Sequence, residues 1–457
     1  MALDADMIAG SGQPVVVGLG PTGVSVARFL AQRGEQFVVV DSRQNPPGLA
    51  QLRHELPHIE VITGELPQAL LAQAAQLYVS PGIALQEPAV AAAVEAGVPV
   101  AGDIDLFAAA AQAPLVGITG SNAKSTVTEL LGLMARRSDL QVGVGGNLGT
   151  PALELLDDSN ECYILELSSF QLERAGELGL AVACILNVSE DHLDRHGDID
   201  SYHRAKQRIF GGCATAVFNR EDARTAVPEI LSAVSMSFGL SAPTQREFGI
   251  VEHGGAEWLA YEDSLLMPVH ELGMVGRHNI ANALAALALG TAMQLPLAPM
   301  LAALREFTGL PHRCELVGDS AGVRFINDSK ATNTGATLAA LQGLSEGCNI
   351  VLIAGGEGKG ADFHELGAAF ASSCKGVVLI GEDAAQIEAV IPNSVTALHA
   401  TSMAAAVSAA RQLAAAGDVV LLSPACASFD MFRSFVDRGE QFTRAVRALI
   451  CEEQADG

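Results

Sequence analysis

A candidate phosphate-binding loop lies in the segment GITGSNAKST, residues 117–126, where Lys124 precedes Ser125 and Thr126. The residues leading into it, APLVGITG, are typical of a strand, and those after it repeat apolar side chains at helical spacing. A lysine at such a strand-to-helix junction can bind phosphate together with the loop amides and the helix N-terminus. A surface lysine in an ordinary turn would not explain the Lys-Ser-Thr run. The sequence therefore predicts a phosphate-binding loop, although the strict Walker spacing would require glycine at positions 118 and 123.

Side chains that suit a metal ion follow the next two predicted strands. The strand CYILEL ends at Glu166, and the strand ACILNV is followed by Ser-Glu-Asp-His, which ends at His192. Parallel strands bring their carboxyl ends to one edge of a sheet, so we expect Glu166 and His192 to lie near Lys124. Carboxylate oxygens and the hydroxyl of Ser125 suit Mg²⁺, and His192 could complete a second site. Each residue alone is commonly a solvated side chain, but together they predict a metal site.

Lys206 occupies an unusual position for a charged residue. In the segment SYHRAKQRIF it lies three or four residues from Tyr202, Ile209 and Phe210, on the same face of a predicted helix. Two interpretations remain open at this point. Its ammonium group could reach water past the apolar stripe, or burial could lower its pKa and leave a neutral amine free for chemistry.

A second glycine-rich turn, Gly18-Leu-Gly20-Pro-Thr-Gly23, follows the strand at residues 15–17 and precedes a predicted helix. The next strand, FVVV, leads directly to Asp41. This is the Rossmann arrangement, in which glycines let the backbone approach phosphates at a helix N-terminus. It fits an NAD-dependent dehydrogenase, a protein that binds another nucleotide-like ligand, or a purely structural turn.

The elements that must position these residues form an α/β pattern. Short β-branched runs alternate with alanine- and leucine-rich helical stretches, which is typical of parallel sheets covered by helices. Three blocks are predicted: an N-terminal Rossmann-like domain over residues 1–102, a central domain with a P-loop ATPase-like, mostly parallel sheet over 103–309, and a C-terminal Rossmann-like domain over 310–457.

The composition limits the class of partner. The 457 residues include 27 basic and 52 acidic side chains, a formal net charge of −25, so we do not expect nucleic acid to bind. Any anionic ligand must instead be held by local lysines, arginines and helix N-termini. No apolar run reaches the roughly 18 residues of a membrane helix, and the first residues lack a signal sequence. With eight cysteines and no Cys-x-x-Cys pair, we expect a cytoplasmic protein.

The loop at 117–126 resembles the ATP-binding loop of the Mur ligases, which build the peptide stem of bacterial cell-wall precursors. The loop in that family reads G-x-T-G-[ST]-N-G-K-[ST]-T, one residue longer than the Walker spacing. The matching residues are Gly117, Thr119, Gly120, Ser121, Asn122, Lys124, Ser125 and Thr126. Further matches cover nearly the whole chain in order: VSPGIAL, GDIDLF, GGNLGTPAL, ELSSFQLE, NVSEDHLDR, GRHNIANALAA, LPHRCE, NDSKATN, GGEGKGADF and LLSPACASFDMFRSF.

The resemblance is greatest to the family member that joins D-glutamate to UDP-N-acetylmuramoyl-L-alanine. It implies an ATP-dependent amide ligase that forms an acyl phosphate and then couples it to the glutamate amine, as a monomer. A D-N-P-R signature, usual in the member that adds a diamino acid, is missing from the sequence. A sister Mur ligase, a folylpolyglutamate synthetase and a non-catalytic nucleotide sensor with the same fold are the remaining alternatives. Because both glutamate enantiomers carry the same charges, the sequence does not decide between them.

The resemblance also implies a role for individual residues. ATP would be bound by the loop and by side chains further along the chain: Gly117, Gly120, Ser121, Asn122, Ala123, Lys124, Ser125, Thr126, Asn279, Asn282, Arg313, Asp328 and Lys330. Two Mg²⁺ ions would be held by Ser125, Glu166, His192 and a carbamylated Lys206. The UDP substrate would meet Gly18, Gly20, Thr22, Gly23, Asp41, Ser42, Arg43, Ser80 and Gly82, with Asn147 at its acyl portion. Glutamate would meet Thr332, Lys359, Ser428 and Phe435. Lys124, His192, Lys206 and Lys330 would be the catalytic residues.

Two positions depart from the family pattern. Glu357 stands where aspartate is more usual, which keeps the charge. Ala123 replaces the glycine before the loop lysine, where such loops often use positive φ. If Ala123 adopts that conformation, we expect a steric cost of about 1–2 kcal/mol.

Overall fold

Three sheets follow one another along the chain and organise the fold. The computed structural model describes residues 12–147, 149–228, 233–274, 276–345 and 347–456. Each sheet is mostly parallel and carries helices on its faces, and we call the three parts the first, second and third units. The described helices include none that is both long and apolar enough to cross a membrane.

The first unit contains five parallel strands in the order β3-β2-β1-β4-β5. Its central strands are rich in valine and buried on both faces, as expected of a sheet covered by helices on each side. The strands are β1 Val15–Val17, β2 Val38–Asp41, β3 Glu60–Thr63, β4 Leu77–Val79 and β5 Val100–Ala101. The helices are α1 Pro21–Gln32, α2 Leu49–Glu55, α3 Gln68–Ala72 and α4 Pro88–Glu95.

The second unit contains nine strands in the order β14-β13-β12-β11-β10-β9-β6-β8-β7, of which β13 and β14 pair antiparallel. The strands are β6 Leu115–Thr119, β7 Val142–Gly146, β8 Cys162–Glu166, β9 Val182–Ile185, β10 Thr215–Asn219, β11 Val234–Phe238, β12 Glu247–His253, β13 Ala256–Tyr261 and β14 Ser264–Pro268. The helices are α5 Asp103–Ala110, α6 Lys124–Arg137, α7 Ser169–Arg174, α8 Leu193–His196, α9 Ile199–Gln207, α10 Arg277–Ala292 and α11 Leu297–Glu306.

The position of β6 determines what lies together in the second unit. It pairs in parallel with β8 on one side and β9 on the other, with Ile118 opposite Glu166 and Thr119 opposite Ile185. The three carboxyl ends therefore adjoin. The loop into α6, the end of β8 and the segment after β9 all leave the sheet at this edge.

The third unit contains six strands in the order β15-β16-β20-β17-β18-β19, with β15 antiparallel to its neighbour. The strands are β15 Glu315–Ser320, β16 Val323–Asn327, β17 Ile350–Gly355, β18 Cys374–Ile380, β19 Thr396–His399 and β20 Val419–Leu422. The helices are α12 Thr334–Leu344, α13 His364–Ser373, α14 Ala384–Glu388, α15 Met403–Leu413 and α16 Phe435–Asp456. Separate apolar clusters lie on the two faces of this sheet.

The structure confirms the predicted class, three α/β units with mostly parallel sheets. The limits at 102/103 and 309/310 stay a prediction. The helix that we expected to begin near Ser125 begins at Lys124, one residue earlier. The α/β sequence pattern did not indicate the antiparallel pairing of β12 to β14, or that of β15 with β16.

The first glycine turn is held tightly by its own backbone. Gly18 has φ +97°, and a Cβ on Gly23 would lie 1.9 Å from the carbonyl oxygen of Gly18. The backbone N–H of Leu19 donates a 2.7 Å hydrogen bond to Oδ2 of Asp41, which is fully buried. The turn therefore needs glycine at position 23 for close packing of α1 against β1, as in Rossmann-type turns.

We predict that Gly23→Ala destabilises the protein by about 1–3 kcal/mol, because the added methyl group overpacks the turn. Gly20→Ala is the matched control, since a Cβ there meets nothing within 4 Å and its φ is −89°. We expect the control to change stability by less than about 0.5 kcal/mol. Thermal unfolding followed by circular dichroism compares the two variants. Equal unfolding midpoints would show that the close approach of Gly18 and Gly23 is not a real constraint.

Candidate active site

The loop at 117–126 is supported by the segment that follows β9. The backbone N–H of Asn122 donates to Oδ1 of Asn187 at 2.8 Å, and Nδ2 of Asn187 donates back to the carbonyl oxygen of Asn122 at 3.2 Å. The hydroxyl of Ser121 donates to the carbonyl oxygen of Ser189 at 2.9 Å. Nζ of Lys124 donates to the carbonyl oxygens of the loop itself, at 2.8 and 3.0 Å. The loop is thus shaped as a closed turn at the N-terminus of α6.

Ala123 adopts the left-handed conformation that the family pattern assigns to glycine. Its φ is +66° and its ψ is −3°, and it is the residue immediately before α6. An L-residue with a Cβ meets a steric cost of about 1–2 kcal/mol there. The hydrogen bonds of the neighbouring loop residues to Asn187 and Ser189 hold Ala123 in this conformation.

The acidic side chain at the end of β8 is buried, and only one of its two carboxylate oxygens accepts a hydrogen bond from the described residues. Glu166 is 3% exposed, and its Oε1 accepts a 2.6 Å hydrogen bond from Nδ2 of Asn147. Its Oε2 has no hydrogen-bond partner among the described residues. A buried carboxylate oxygen in this state is suited to a cation, and the hydroxyl of Ser125 lies at the start of the neighbouring helix. The donor set therefore fits Mg²⁺.

Lys206 is buried, which excludes the interpretation that its ammonium group reaches water. The residue is 1% exposed, its Nζ donates to the carbonyl oxygen of Gly120 at 2.9 Å, and Nζ lies 4.3 Å from the centre of the Tyr202 ring. Burial lowers the pKa of Lys206 well below its usual value, and the nearby charge of Lys124 lowers it further. This environment therefore disfavours the charged form of the Lys206 amine.

His192 lies at the same edge of the sheet in a left-handed conformation, with φ +55°. Its ring packs 4.9 Å from the ring of Phe170, and its Nε2 is 3.6 Å from Oδ2 of Asp191. Partial burial lowers the pKa of His192, and Asp191 opposes that shift. The neutral ring that results is the form that binds metals. No group of three or more His, Cys, Asp and Glu side chains in the described residues is arranged to hold a metal.

A cleft between the second and third units contains the residues predicted to bind nucleotide. Its walls include the loop residues Asn122 and Ala123. Five predicted residues from both units also line it: Asn279, Asn282, Arg313, Asp328 and Lys330. The structure therefore brings together side chains that are separated by more than 200 positions in the sequence, as the resemblance implied.

The charges of this cleft are strongly influenced by burial. Burial raises the pKa of Asp328 to about 7, against the effect of a 2.8 Å hydrogen bond from the Ser423 hydroxyl. Burial lowers the pKa of Lys330 to about 8, with the positive charge of Arg313 adding to the shift. Nζ of Lys330 lies 4.1 Å from the centre of the Phe435 ring. Anionic phosphates would restore the charge of such a lysine.

The third unit reaches across the cleft to the loop. Arg313 donates from NH2 to the hydroxyl oxygen of Ser125 at 2.9 Å, and Asn333 donates from Nδ2 to Oδ2 of Asp191 at 3.0 Å. Sequence reasoning missed the contact between Asn333 and Asp191, and it also missed the support that Asn187 gives to the loop at Asn122. Asn187 was a usable signal, because it lies in the predicted ACILNV strand three positions before Glu190.

The residues predicted to bind glutamate separate into two groups. Thr332 and Lys359 line the cleft that also contains Lys124, Glu166 and His192. Phe435 packs against Lys330, at the border of the same cleft. Ser428 is buried and is not among the side chains that line this cleft.

The residues predicted to bind the UDP substrate gather at the carboxyl edge of the first sheet. Glycine, hydroxyl and charged residues follow β1, β2 and β4 there: Gly18, Gly20, Thr22, Gly23, Asp41, Ser42, Arg43, Ser80 and Gly82. The carboxylate of Asp41 already accepts hydrogen bonds within the protein. Besides the bond from Leu19, its oxygens accept from the backbone N–H and the guanidinium of Arg43 at 2.7 to 2.9 Å. Asn147 belongs to the second unit and contacts Glu166 rather than this edge.

Comparison with known proteins agrees with the geometry. Family models match along the chain in order: the Mur ligase MurD-like N-terminal domain at residues 12–102, the Mur ligase middle domain at 118–290, and the Mur ligase glutamate ligase domain at 312–426. Together with the full-length relatives that follow, these matches show that the chain belongs to the Mur ligase family.

The relatives are similar along almost their whole length. The chain is 54% identical to UDP-N-acetylmuramoylalanine--D-glutamate ligase of Pseudomonas fluorescens strain Pf-5, over 97% of this chain and 99% of that protein. It is 53% identical to the enzyme of the same name in Pseudomonas aeruginosa, with the same coverage. Among solved structures, a MurF ligase of Thermotoga maritima in complex with ADP shares the fold, with a TM-score of 0.59 and 17% identity, covering 96% of each chain.

We predict that Ala123→Gly leaves turnover within about tenfold of the unchanged enzyme. Glycine relieves the left-handed strain of about 1–2 kcal/mol but loses more entropy on folding, so the loop keeps its shape with little net change in stability. Ala321→Gly is the matched control, because Ala321 has φ +51° in an exposed turn of the third unit. We expect similar unfolding midpoints for both variants. A change of turnover far beyond tenfold in Ala123→Gly alone would mean that the methyl group itself takes part in loop function.

Proposed function

We propose that this chain joins D-glutamate to UDP-N-acetylmuramoyl-L-alanine at the expense of ATP, in the synthesis of the peptidoglycan precursor. The observation that carries the proposal is one cleft in which a phosphate-binding loop, a buried carboxylate and several cations meet. The cations are Lys124, Lys330, Lys359 and Arg313. They are concentrated there in a chain whose net charge is −25. Full-length relatives named for this reaction agree with it.

The reaction needs two steps because a carboxylate is a poor acceptor for an amine. The carboxylate oxygen of the UDP substrate attacks the terminal phosphorus of ATP, and ADP leaves as the acyl phosphate forms. The glutamate nitrogen then attacks the acyl carbon, loses a proton, and inorganic phosphate leaves with its electron pair as the amide forms. The protein's contribution is to hold anionic reactants in contact and to stabilise the charge on the transferred phosphoryl group.

Each cation has a place in this scheme. Lys124 and the amides of the loop hold the phosphates of ATP, at the N-terminus of α6. Lys330 and Arg313 approach from the third unit on the opposite wall of the cleft. Lys359 and Thr332 line the same cleft and would bind the side-chain carboxylate of glutamate. The bonds of Lys124 to loop carbonyl oxygens would be exchanged for bonds to phosphate oxygens.

Mur ligases use ATP with Mg²⁺, and the residues at the end of β8 fit that ion. Glu166, through its unpartnered Oε2, and the hydroxyl of Ser125 would hold one Mg²⁺, which neutralises phosphate charge when bound. His192, with its neutral ring, and Lys206 would complete a second position. The number of ions is part of the proposal.

Lys206 can supply an anionic ligand only after modification. Its neutral nitrogen attacks the carbon of CO₂, one proton is released, and a carbamate with a negative charge remains. Such a group would add a carboxylate-like ligand beside His192, where the described residues provide no cluster of three ligands. The buried position of Lys206 beside Lys124, and its lowered pKa, support this proposal.

The three units divide the substrates between them. We assign the uridine diphosphate end of the acceptor to residues 1–102, glutamate to 310–457, and ATP to 103–309 together with Arg313, Asp328 and Lys330 on the facing wall of the cleft. Asn147, whose side chain donates a hydrogen bond to Glu166, would contact the acyl portion of the acceptor. We further propose that the enzyme acts as a monomer in the cytoplasm.

We predict that phosphate release in the presence of ATP, Mg²⁺ and UDP-N-acetylmuramoyl-L-alanine is stimulated by D-glutamate more than by any other amino acid. L-glutamate is the matched control, because it carries the same charges in the opposite configuration. A sister ligase would respond to a different amino acid. No stimulation by D-glutamate beyond that by L-glutamate would overturn the assignment.

We predict that ¹³C-labelled bicarbonate gives a protein-bound carbamate resonance in the nuclear magnetic resonance spectrum, and that Lys206→Arg abolishes it. Arginine keeps a long cationic side chain but does not form the carbamate. Lys375→Arg is the control, since Lys375 is half exposed and paired with Asp418 at 2.7 Å. A resonance that persists in Lys206→Arg, or that is missing from the unchanged protein, would contradict the modification.

A further inference from the structure

Helix α7, which follows β8 and Glu166, carries a buried arginine that donates hydrogen bonds to the first unit. Arg174 is the last residue of α7, which begins three residues after Glu166. Its side chain is fully buried, and the nearest carboxylate oxygen, on Glu173, is 3.6 Å away. Burial lowers the pKa of Arg174 to about 10, so the guanidinium stays charged near pH 7. A buried charge needs complete hydrogen bonding, and here the partners are backbone carbonyl oxygens.

The guanidinium of Arg174 uses all five of its N–H donors. Nε donates to the carbonyl oxygen of Phe170, in its own helix, at 2.8 Å. The other four bonds go to one segment of the first unit, residues 79–83. NH1 donates to the carbonyl oxygens of Val79 and Ser80 at 3.0 and 2.7 Å. NH2 donates to those of Pro81 and Ile83 at 3.4 and 3.0 Å.

A second arginine donates to the same segment from the helix that follows β9 and His192. Arg195 lies in α8, three residues after His192. Its NH2 donates to the carbonyl oxygen of Ile83 at 3.1 Å and pairs with Glu173 at 2.9 Å. The segment 79–83 is therefore held by one arginine from the helix after Glu166 and one from the helix after His192.

We propose that Arg174 and Arg195 are positioning residues of the ligation reaction, which fix the segment 79–83, and with it the acceptor substrate, relative to the metal site. The inference rests on the proposed function, because Ser80 and Gly82 in this segment are predicted to bind the UDP substrate. Neither arginine touches the reacting atoms in this role. Each sets the distance between the acceptor carboxylate and the ATP phosphates, where a displacement of about 1 Å can cost on the order of 100-fold in rate.

The test is Arg174→Lys, which keeps the charge but supplies at most three donors in place of five. We expect kcat to fall at least tenfold, while the KM for ATP and the Kd for UDP-N-acetylmuramoyl-L-alanine without ATP stay within threefold. Arg28→Lys is the matched control. Arg28 also joins the first and second units, through a 2.7 Å pair with Glu154, but does so away from the segment 79–83. We expect all its constants to stay within twofold.

The split between kcat and binding distinguishes positioning from a merely structural role. If folded Arg174→Lys retains kcat within threefold, or if its loss of kcat equals the loss of enzyme that still binds ATP, the inference is wrong. Should Arg174→Lys fail to fold, Arg195→Lys, whose side chain is partly exposed, is judged by the same criteria. The proposed function fails separately, if the unchanged enzyme shows no phosphate release stimulated by D-glutamate.

Discussion

The parallel pairing of β6 with β8 and β9 is the constraint on which the site depends. Register places the ends of these strands side by side, so the phosphate-binding loop, Glu166 and the His192 segment leave the sheet at one edge. Contacts of the second unit with the other two units are made at this edge. The third unit closes the cleft over it, and the arginines of α7 and α8 connect it to the first unit.

Burial decides the charge states at that edge. Desolvation beside another lysine lowers the pKa of Lys206 well below its usual value, and burial lowers the pKa of Lys330 to about 8. Glu166 is buried, and one of its carboxylate oxygens has no hydrogen-bond partner in the described part of the chain. Buried groups of this kind are costly to leave without partners, and bound phosphate or metal would supply such partners.

Sequence patterns were sufficient to predict which residues meet at the edge of the second sheet. They were not sufficient to predict the contacts that connect this edge to the other two units. Strand-end residues such as Lys124, Glu166 and His192 could be placed together because parallel α/β topology fixes where strands end. Arg174 could not be found in this way, because its acceptors are backbone carbonyl oxygens, which every residue carries. The contact of Arg313 with Ser125 spans 188 positions and depends on how two units face each other. The individual binding roles and the carbamate stay predictions, since they concern ligands and a modification that the fold alone does not specify.

The nucleotide cleft has one wall from each of two units, whereas the glycine turn belongs to the first unit alone. A ligand that bonds to both walls adds its binding free energy to the cohesion between the second and third sheets, so that they unfold together. A ligand at the glycine turn would act on the first unit, which is itself joined to the second by the hydrogen bonds of Arg174 to Val79 and Ser80. Because the cleft is shared, the association of the second and third units becomes sensitive to the concentration of any ligand that spans it.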